Sequence, residues 1–399
     1  MKRIIVFLLL GALLLLLTGG SPPYVRKEVA IFIDGETLAG REIRVEVSHA
    51  RRAEAAGGYA ALYDQLLASY TPREALDYLG IGLGDYLSAE CERFRIDPLD
   101  ATLEWTKGRS LPFLYYPEAK GREADLAEVG RAVARAMDGG KEARVFTKEV
   151  FPVLTLADLK KRTTERARFS TSFQSSGENR RHNIALAASL VHGTVVPSGS
   201  TFSFNATVGE RTEARGFKEA NIVVKGDFIK GIGGGVCQVS TTLYNAVLLA
   251  GLKVERAAAH TRPVSYVPCS RDCTVSSAID FTFRNDTPYP IYIAAFVSDS
   301  TLTFRLFGEE KEGSYRLESE RVEEIPYRCL YEDGSEVDDL NAAELLSPGR
   351  IGVASRLYLI RTIGDNTTRT LIRENLYPAK DAIYSKDPPE NRGAFHFRA

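Results

Sequence analysis

The sequence has no excess of either charge: 51 lysines and arginines stand against 52 aspartates and glutamates, for a formal net charge of −1 over 399 residues. No strongly basic patch with interleaved aromatics occurs, so nucleic acid, whose binding rests on neutralising phosphates, is not an expected partner. Cysteine is scarce, with five residues at 91, 237, 269, 273 and 329. None forms a Cys-x-x-Cys pair, which argues against thioredoxin-type redox work. Cys269 and Cys273 have no second pair and no suitably spaced histidine, so neither a zinc site nor any other metal or cofactor is expected. Beyond Leu17 no apolar run approaches the about 20 residues that span a bilayer.

What is present at the N-terminus sets the compartment. Lys2 and Arg3 precede the apolar stretch Ile4–Leu17, broken only by Gly11, and Thr18-Gly19-Gly20-Ser21-Pro22-Pro23 follows. A basic start, an apolar core and a small-residue exit make residues 1–23 an export signal. No clear alanine-x-alanine site follows, so an uncleaved anchor in the cytoplasmic membrane stays open. No cysteine follows the apolar core, so lipoprotein attachment is not supported. The body is expected outside the cytoplasm, in the cell wall or on the outer face of the membrane. With 44% hydrophobic and 26% charged residues, the composition is that of a globular chain with two or three domains.

Periodicity predicts an α+β, multi-domain chain. Glu28–Asp34 and Arg41–Val47 alternate as a hairpin, Ala50–Leu79 is helical, and Thr71-Pro72 restarts a helix with Thr71 as cap. Ala101–Trp105 and Phe113–Tyr116 are strand candidates, Glu123–Met137 is an amphipathic helix, and Ala143–Val153 returns as a strand. Residues 24–160 thus form an α+β region, and its strand–helix–strand order resembles small peptidoglycan-binding-type domains. In residues 165–300 a helix around Ile184, Ala187, Leu190 and Val191 precedes a strand over Thr201–Asn205 and a hairpin turning at Lys225-Gly226. Two strands follow, Ile279–Arg284 and Ile291–Val297. Residues 301–385 read as a small β module and 386–399 as a tail.

The most informative run is Gly231-Ile232-Gly233-Gly234-Gly235-Val236-Cys237-Gln238-Val239-Ser240-Thr241-Thr242-Leu243-Tyr244-Asn245. Glycines let backbone N–H groups approach a ligand, and a cysteine in the first turn of a helix feels the positive end of its dipole. Those are requirements of a thiolate nucleophile beside an oxyanion-binding loop. The plain alternative is a buried structural cysteine behind a tight turn. Cys91 and Cys329 pair only if the fold brings them together, and Cys237 is the natural odd one out.

This run, with Arg181, Asn183-Ile184, Phe202-Ser203-Phe204-Asn205, Val208-Gly209, Arg211-Thr212, Gly251-Leu252, Arg256, His260 and Pro263-Val264-Ser265-Tyr266-Val267-Pro268, resembles the VanW family. The resemblance covers about a third of the chain. It implies a bacterial cell-wall protein linked to glycopeptide resistance, and some family members are linked to L,D-transpeptidation of peptidoglycan through a cysteine. One departure is Cys269-Ser270-Arg271-Asp272-Cys273-Thr274, where the family typically has a turn and then Asp-Ala-Thr; the two cysteines suggest a local disulfide.

The site expected on these grounds has Cys237 as nucleophile and His260 as base, with His182 as second choice. Asp280 would orient the imidazole and Gln238 would add a donor. Gly233, Gly234 and Gly235 would bind an oxyanion, Arg211 and Arg256 a substrate carboxylate, and Ser240, Thr241 and Tyr244 would face the cleft. The expected substrate is the peptidoglycan stem peptide. The alternative is a non-catalytic peptidoglycan-binding or envelope-assembly protein in which Cys237 is structural.

Overall fold

The computed structural model describes residues 24–38, 41–106, 112–140, 142–224, 227–340 and 343–386. The expected export signal 1–23, the turn expected at Lys225-Gly226 and residues 387–399 of the expected tail lie outside them. The chain is mixed α+β with open sheets, and it divides into two units. One holds residues up to Glu104 together with Leu114–Leu156, the other Trp105–Phe113 and everything from Ala157 onward.

In the first unit Tyr24–Ile33 pairs antiparallel with Arg41–Glu46, and Glu142–Val145 adds in parallel. Val29, Ile31 and Ile33 bury one face of this sheet, as the alternation predicts. The region read as two helices, the second restarting at Thr71-Pro72, is three, Val47–Ala56, Tyr59–Leu66 and Pro72–Leu79. The first break falls at Gly57 and Gly58, both at positive φ, a conformation that costs glycine little. The last helix opens on a capping box: Thr71 Oγ1 accepts from Glu74 N while Thr71 N donates to the Glu74 carboxylate.

The second unit is built on a four-stranded antiparallel sheet in the order Thr194–Val196, Ile291–Val297, Thr301–Gly308, Thr164–Ser172. The sheet therefore takes in Thr301–Gly308, which the sequence division had placed in the C-terminal module. Its alternate residues Leu302, Phe304 and Leu306 are fully buried, so the strand belongs to this core by packing. Two helices, Glu178–Val191 and Val236–Leu249, pack against the sheet through Ile184, Ala187, Val191, Val239, Leu243 and Val247.

The strand expected through Asn205 stops at Ser203. Ser203 Oγ accepts from Ala206 N at 3.0 Å and caps a short helix, Phe204–Val208. Beyond the sheet lie the hairpin Glu219–Val224 with Asp227–Ile232 and the C-terminal three-stranded antiparallel sheet Ser314–Ile325, Gly352–Ile363, Asn366–Tyr377. Leu357 of this last sheet is buried in the same core as the two helices, with Leu317, Leu359 and Ile372 beside it. The C-terminal strands therefore pack on the central core. Among the described residues no helix is long and apolar enough to cross a membrane.

Candidate active site

The Gly-Cys run becomes a loop feeding the helix Val236–Leu249, with Gly235 as its N-cap at φ 109 and Gly233 at φ 85. Both angles lie where only glycine sits without strain. Gly234 is required for a different reason: a Cβ there would lie 2.6 Å from the Asn221 carbonyl oxygen. Cys237 is the second helical residue, half-buried at the floor of a cleft of about 1300 Å³. Its sulfur accepts from Val275 N at 3.5 Å and lies 3.6 Å from Thr274 Oγ1.

The histidine reaches the sulfur through strand register. Ala258 bridges Thr274 in antiparallel fashion, so two residues further along the same register His260 stands opposite Asp272. Asp272 Oδ2 accepts from both His260 N and His260 Nδ1, each at 2.7 Å. The other ring nitrogen is then the one left for Cys237, with which the imidazole interacts electrostatically. The order is Cys237, His260, Asp272: a thiol, a base and the carboxylate that orients the base. Asp272 is itself held from the C-terminal sheet. Tyr377 Oη donates to Asp272 Oδ1 at 2.5 Å and accepts from Ser270 N at 2.8 Å. Arg373 donates to the Ser270 and Asp272 carbonyls.

Electrostatics follow from this packing. Burial raises the Cys237 thiol pKa, but the hydrogen bond and charge of His260, with Val275 and Thr274, outweigh it and hold the thiol below its ordinary value. Burial disfavours the imidazolium, yet its bonds to Asp272 and Cys237 raise His260 to about 9. For Asp272, burial is outweighed by the bonds from His260 and Tyr377, and the carboxyl is held down. The two shifts run in the same sense, favouring the thiolate–imidazolium form of the pair over the neutral one. Burial, then the Asp272 charge, pushes the Tyr377 phenol up, so it stays a donor.

The polar residues after the cysteine explain how the carboxylate is fixed. The helix is buried almost all round, and its hydroxyls and amide bond to the Arg271–Cys273 segment. Ser240 Oγ donates to Cys273 O at 2.6 Å, Thr241 Oγ1 accepts from Cys273 N at 2.8 Å, and Asn245 Nδ2 donates to Arg271 O at 2.8 Å. Buried polar side chains are tolerated where each finds a partner. Here the partners flank Asp272, so one helix carries Cys237 and anchors the segment that orients His260.

A family model described as VanW like protein matches residues 179–307. Residues 179–307 belong to the VanW family. The uncharacterized protein YoaR of Bacillus subtilis is 44% identical over 149 residues, covering 37% of this chain and 49% of that protein. The vancomycin B-type resistance protein VanW of Enterococcus faecalis is 26% identical over 155 residues, covering 37% and 56%. The chain spans about half the length of these curated relatives. No solved structure matches the chain.

Of the residues expected at the site, the VanW domain brings Cys237, His260, Gly233, Gly234, Gly235 and Arg211 together along one cleft. Others fall elsewhere. Asp280 does not orient the imidazole: its carboxylate accepts from Ser203 Oγ at 2.6 Å and Asn205 N at 2.8 Å, fixing the short helix. Gln238 is buried, and its amide donates to Thr171 Oγ1 and Ser172 O rather than into the cleft. Arg256 is exposed on the strand Lys253–Arg256 and does not line the cleft. Tyr244 is core, edge-on to Phe281 with Arg373 over its ring. Ser240 and Thr241 are buried as well. His182 is exposed and bonds the Gly216 carbonyl.

The expected Cys269–Cys273 disulfide is not formed, and both are free thiols. Cys273 points into the central core and Cys269 packs with Val353 and Tyr377, so their side chains face separate clusters. Cys91 and Cys329 are also free and belong to different units. The residues missed in the sequence are Asp272, Arg373, Tyr377 and Arg180. For Asp272 a sign was available: Asp272-Cys273-Thr274 occupies the place of the family's Asp-Ala-Thr. Arg373 and Tyr377 lie about a hundred residues downstream, outside any local pattern.

Proposed function

We propose that the VanW domain is a cysteine acyltransferase of the cell wall that acts on peptidoglycan stem peptides as an L,D-transpeptidase. The observation that carries this reading is the Cys237–His260–Asp272 array opening on a cleft beside a glycine loop at a helix N-terminus. The Cys237 thiolate attacks the carbonyl carbon of the donor amide, and the oxyanion is received by N–H groups of the glycine loop. The N–H groups of Gly233, Val236 and Gln238 already donate to Lys218, Gly233 and Gly235 carbonyls. The role therefore falls to Gly234, Gly235 and Cys237. One such donor is worth about 3 kcal/mol of barrier. The C–N bond breaks as the imidazolium of His260 protonates the leaving amine, and a thioester remains. An incoming amine, or water, gives its proton to His260, attacks the thioester and releases the thiolate.

The name of the Enterococcus faecalis relative supports a link to vancomycin resistance, and the N-terminal export pattern supports a place outside the membrane. The test is incubation of wild type and Cys237→Ala with disaccharide-tetrapeptides, reading acyl-enzyme and cross-linked or exchanged products by mass. Wild type forms both and the variant neither; equal product from the two proteins sinks the mechanism, and a peptide bound but unaltered by wild type favours a wall-binding role.

A further inference from the structure

The cleft around Cys237 is lined by Arg180, Arg211, Arg262 and His260, and its one acidic lining residue among the described residues is Glu210. Two of these arginines are placed by the glycine loop itself. A Cβ on Gly233 would lie 3.0 Å from Arg211 Cβ, and one on Gly235 would lie 3.0 Å from Arg180 Cγ. The two stems therefore flank the loop that presents the cysteine. Their side chains donate to neutral groups: Arg180 to Ser176 and Gln238, and Arg211 to Asn205. Asp280, whose field reaches Arg211, gives its oxygens to Ser203 and Asn205. Burial disfavours the charge of these two guanidinium groups, and the field of Cys237 acts on both in the opposite sense; that field is spent once the sulfur is acylated, while their hydrogen-bond partners stay neutral. The fitting counter-charge is a planar carboxylate, which a guanidinium fork recognises in bidentate fashion.

We propose that Arg180 and Arg211 form a clamp for the free α-carboxylate of the donor's leaving residue, so that the acyl donor is a peptide cleaved at its C-terminal amino acid. This rests on the acyl-transfer reading of the same cysteine. In a C-terminal residue the carboxylate carbon lies two bonds from the scissile nitrogen, so a clamp beside the sulfur reaches it there and nowhere further along a chain. The clamp replaces the Arg211–Arg256 pair expected from the sequence: Arg256 is off the cleft, and Arg180 stands on the other side of the loop.

Two measurements on the full chain decide it. In the first, Cys237 is alkylated with iodoacetate or iodoacetamide and followed by peptide mass, with glutathione as reference. Relative to glutathione, Cys237 favours the anionic reagent by about tenfold or more, and salt weakens the preference. Arg180→Gln and Arg211→Gln each lower the ratio several-fold, whereas Arg211→Lys keeps part of it because the charge stays. An unchanged ratio in both glutamine variants overturns the clamp.

In the second, Cys237→Ala is titrated with a stem tetrapeptide bearing a free C-terminus and with its C-terminal amide. The amide binds about a hundredfold more weakly, because it leaves the guanidinium groups unpaired. Equal affinity, or no binding of either, refutes the proposal. The two readings fail separately. Acyl-enzyme formed by wild type equally from acid and amide removes the clamp and keeps the transfer. Acid-selective binding without any acyl-enzyme keeps the clamp and removes the transfer.

Discussion

Replacing Asp272 with asparagine removes the charge beneath His260 while keeping the shape of the side chain. In the native protein one carboxylate oxygen takes both the His260 amide and Nδ1 at 2.7 Å, and the other takes Tyr377 Oη. The His260 side chain is only 7% exposed, so solvent screens little of this interaction. A rise from 6.5 to about 9, at about 1.4 kcal/mol per unit, corresponds to roughly 3 kcal/mol in favour of the imidazolium. Asp272 and Cys237 share that sum. If Asp272 holds about half, its loss weakens the thiolate–imidazolium pair by about 1.5 kcal/mol, a factor of about ten in the thiolate-to-thiol ratio.

The assay is the rate of iodoacetamide alkylation at Cys237 between pH 5 and 10, read by peptide mass. Wild type reacts fast well below the ordinary thiol range. Asp272→Asn reacts about tenfold more slowly at pH 6, and its profile moves toward alkaline pH by about one unit. At pH 10, where a thiolate no longer needs the imidazolium, the two rates converge. Superimposable profiles would show that the carboxylate does not govern the thiol, and the triad would fall. Circular dichroism at each pH separates this outcome from unfolding.

Other consequences are equally specific. Tyr377→Phe removes a hydroxyl that bridges Asp272 Oδ1 and Ser270 N in a buried setting; we expect a loss of about 1–3 kcal/mol in denaturant unfolding, with a smaller alkaline shift of the same alkylation profile. His260 has a raised folded pKa, so its contribution to stability is complete below about pH 6.5 and is lost as pH climbs through about 9. The stability gap between wild type and His260→Gln therefore shrinks from pH 6 to pH 10, and a gap that widened with pH would contradict the assignment. Gly234→Ala drives a methyl to 2.6 Å from Asn221 O and 2.9 Å from the Ala220 carbonyl carbon. It lowers stability by about 1–3 kcal/mol and slows alkylation, whereas an unperturbed melting curve would mean that the loop relaxes freely.

Local physics was read correctly wherever the cause lay within a few residues. Thr71-Pro72 stood as a helix start because a cap and its first-turn proline are neighbours. The glycine cluster implied a turn into the helix that begins at Val236 because positive-φ glycines and a helix N-terminus are local features. The strand expected through Asn205 failed since Ser203 had a competing use as a cap, supported by Asp280 from 75 residues downstream.

The cysteine and the histidine that the fold brings to one cleft were legible in the sequence: Cys237 by its helix-entry position and His260 as a polar-loop histidine within the matched region. The carboxylate was misassigned. Asp280 and Asp272 are both near His260 in sequence, and only the antiparallel register set by Ala258 and Thr274 selects Asp272. The same register, with Ser240, Thr241 and Asn245 binding its backbone, directs Cys273 into the core and leaves Cys269 against Tyr377. The departure from the family's pattern had suggested that the two cysteines bond.

By itself the sequence determined the chemical types at the site: a thiol at a helix entry, an imidazole, a loop of glycines and arginines nearby. These follow from residue identity and short-range geometry. Tertiary structure alone decided which carboxylate orients the imidazole, that Tyr377 and Arg373 of the C-terminal sheet hold that carboxylate, and that Arg180 rather than Arg256 lines the cleft. Those choices depend on strand register and on packing between segments tens to a hundred residues apart, which no local pattern encodes.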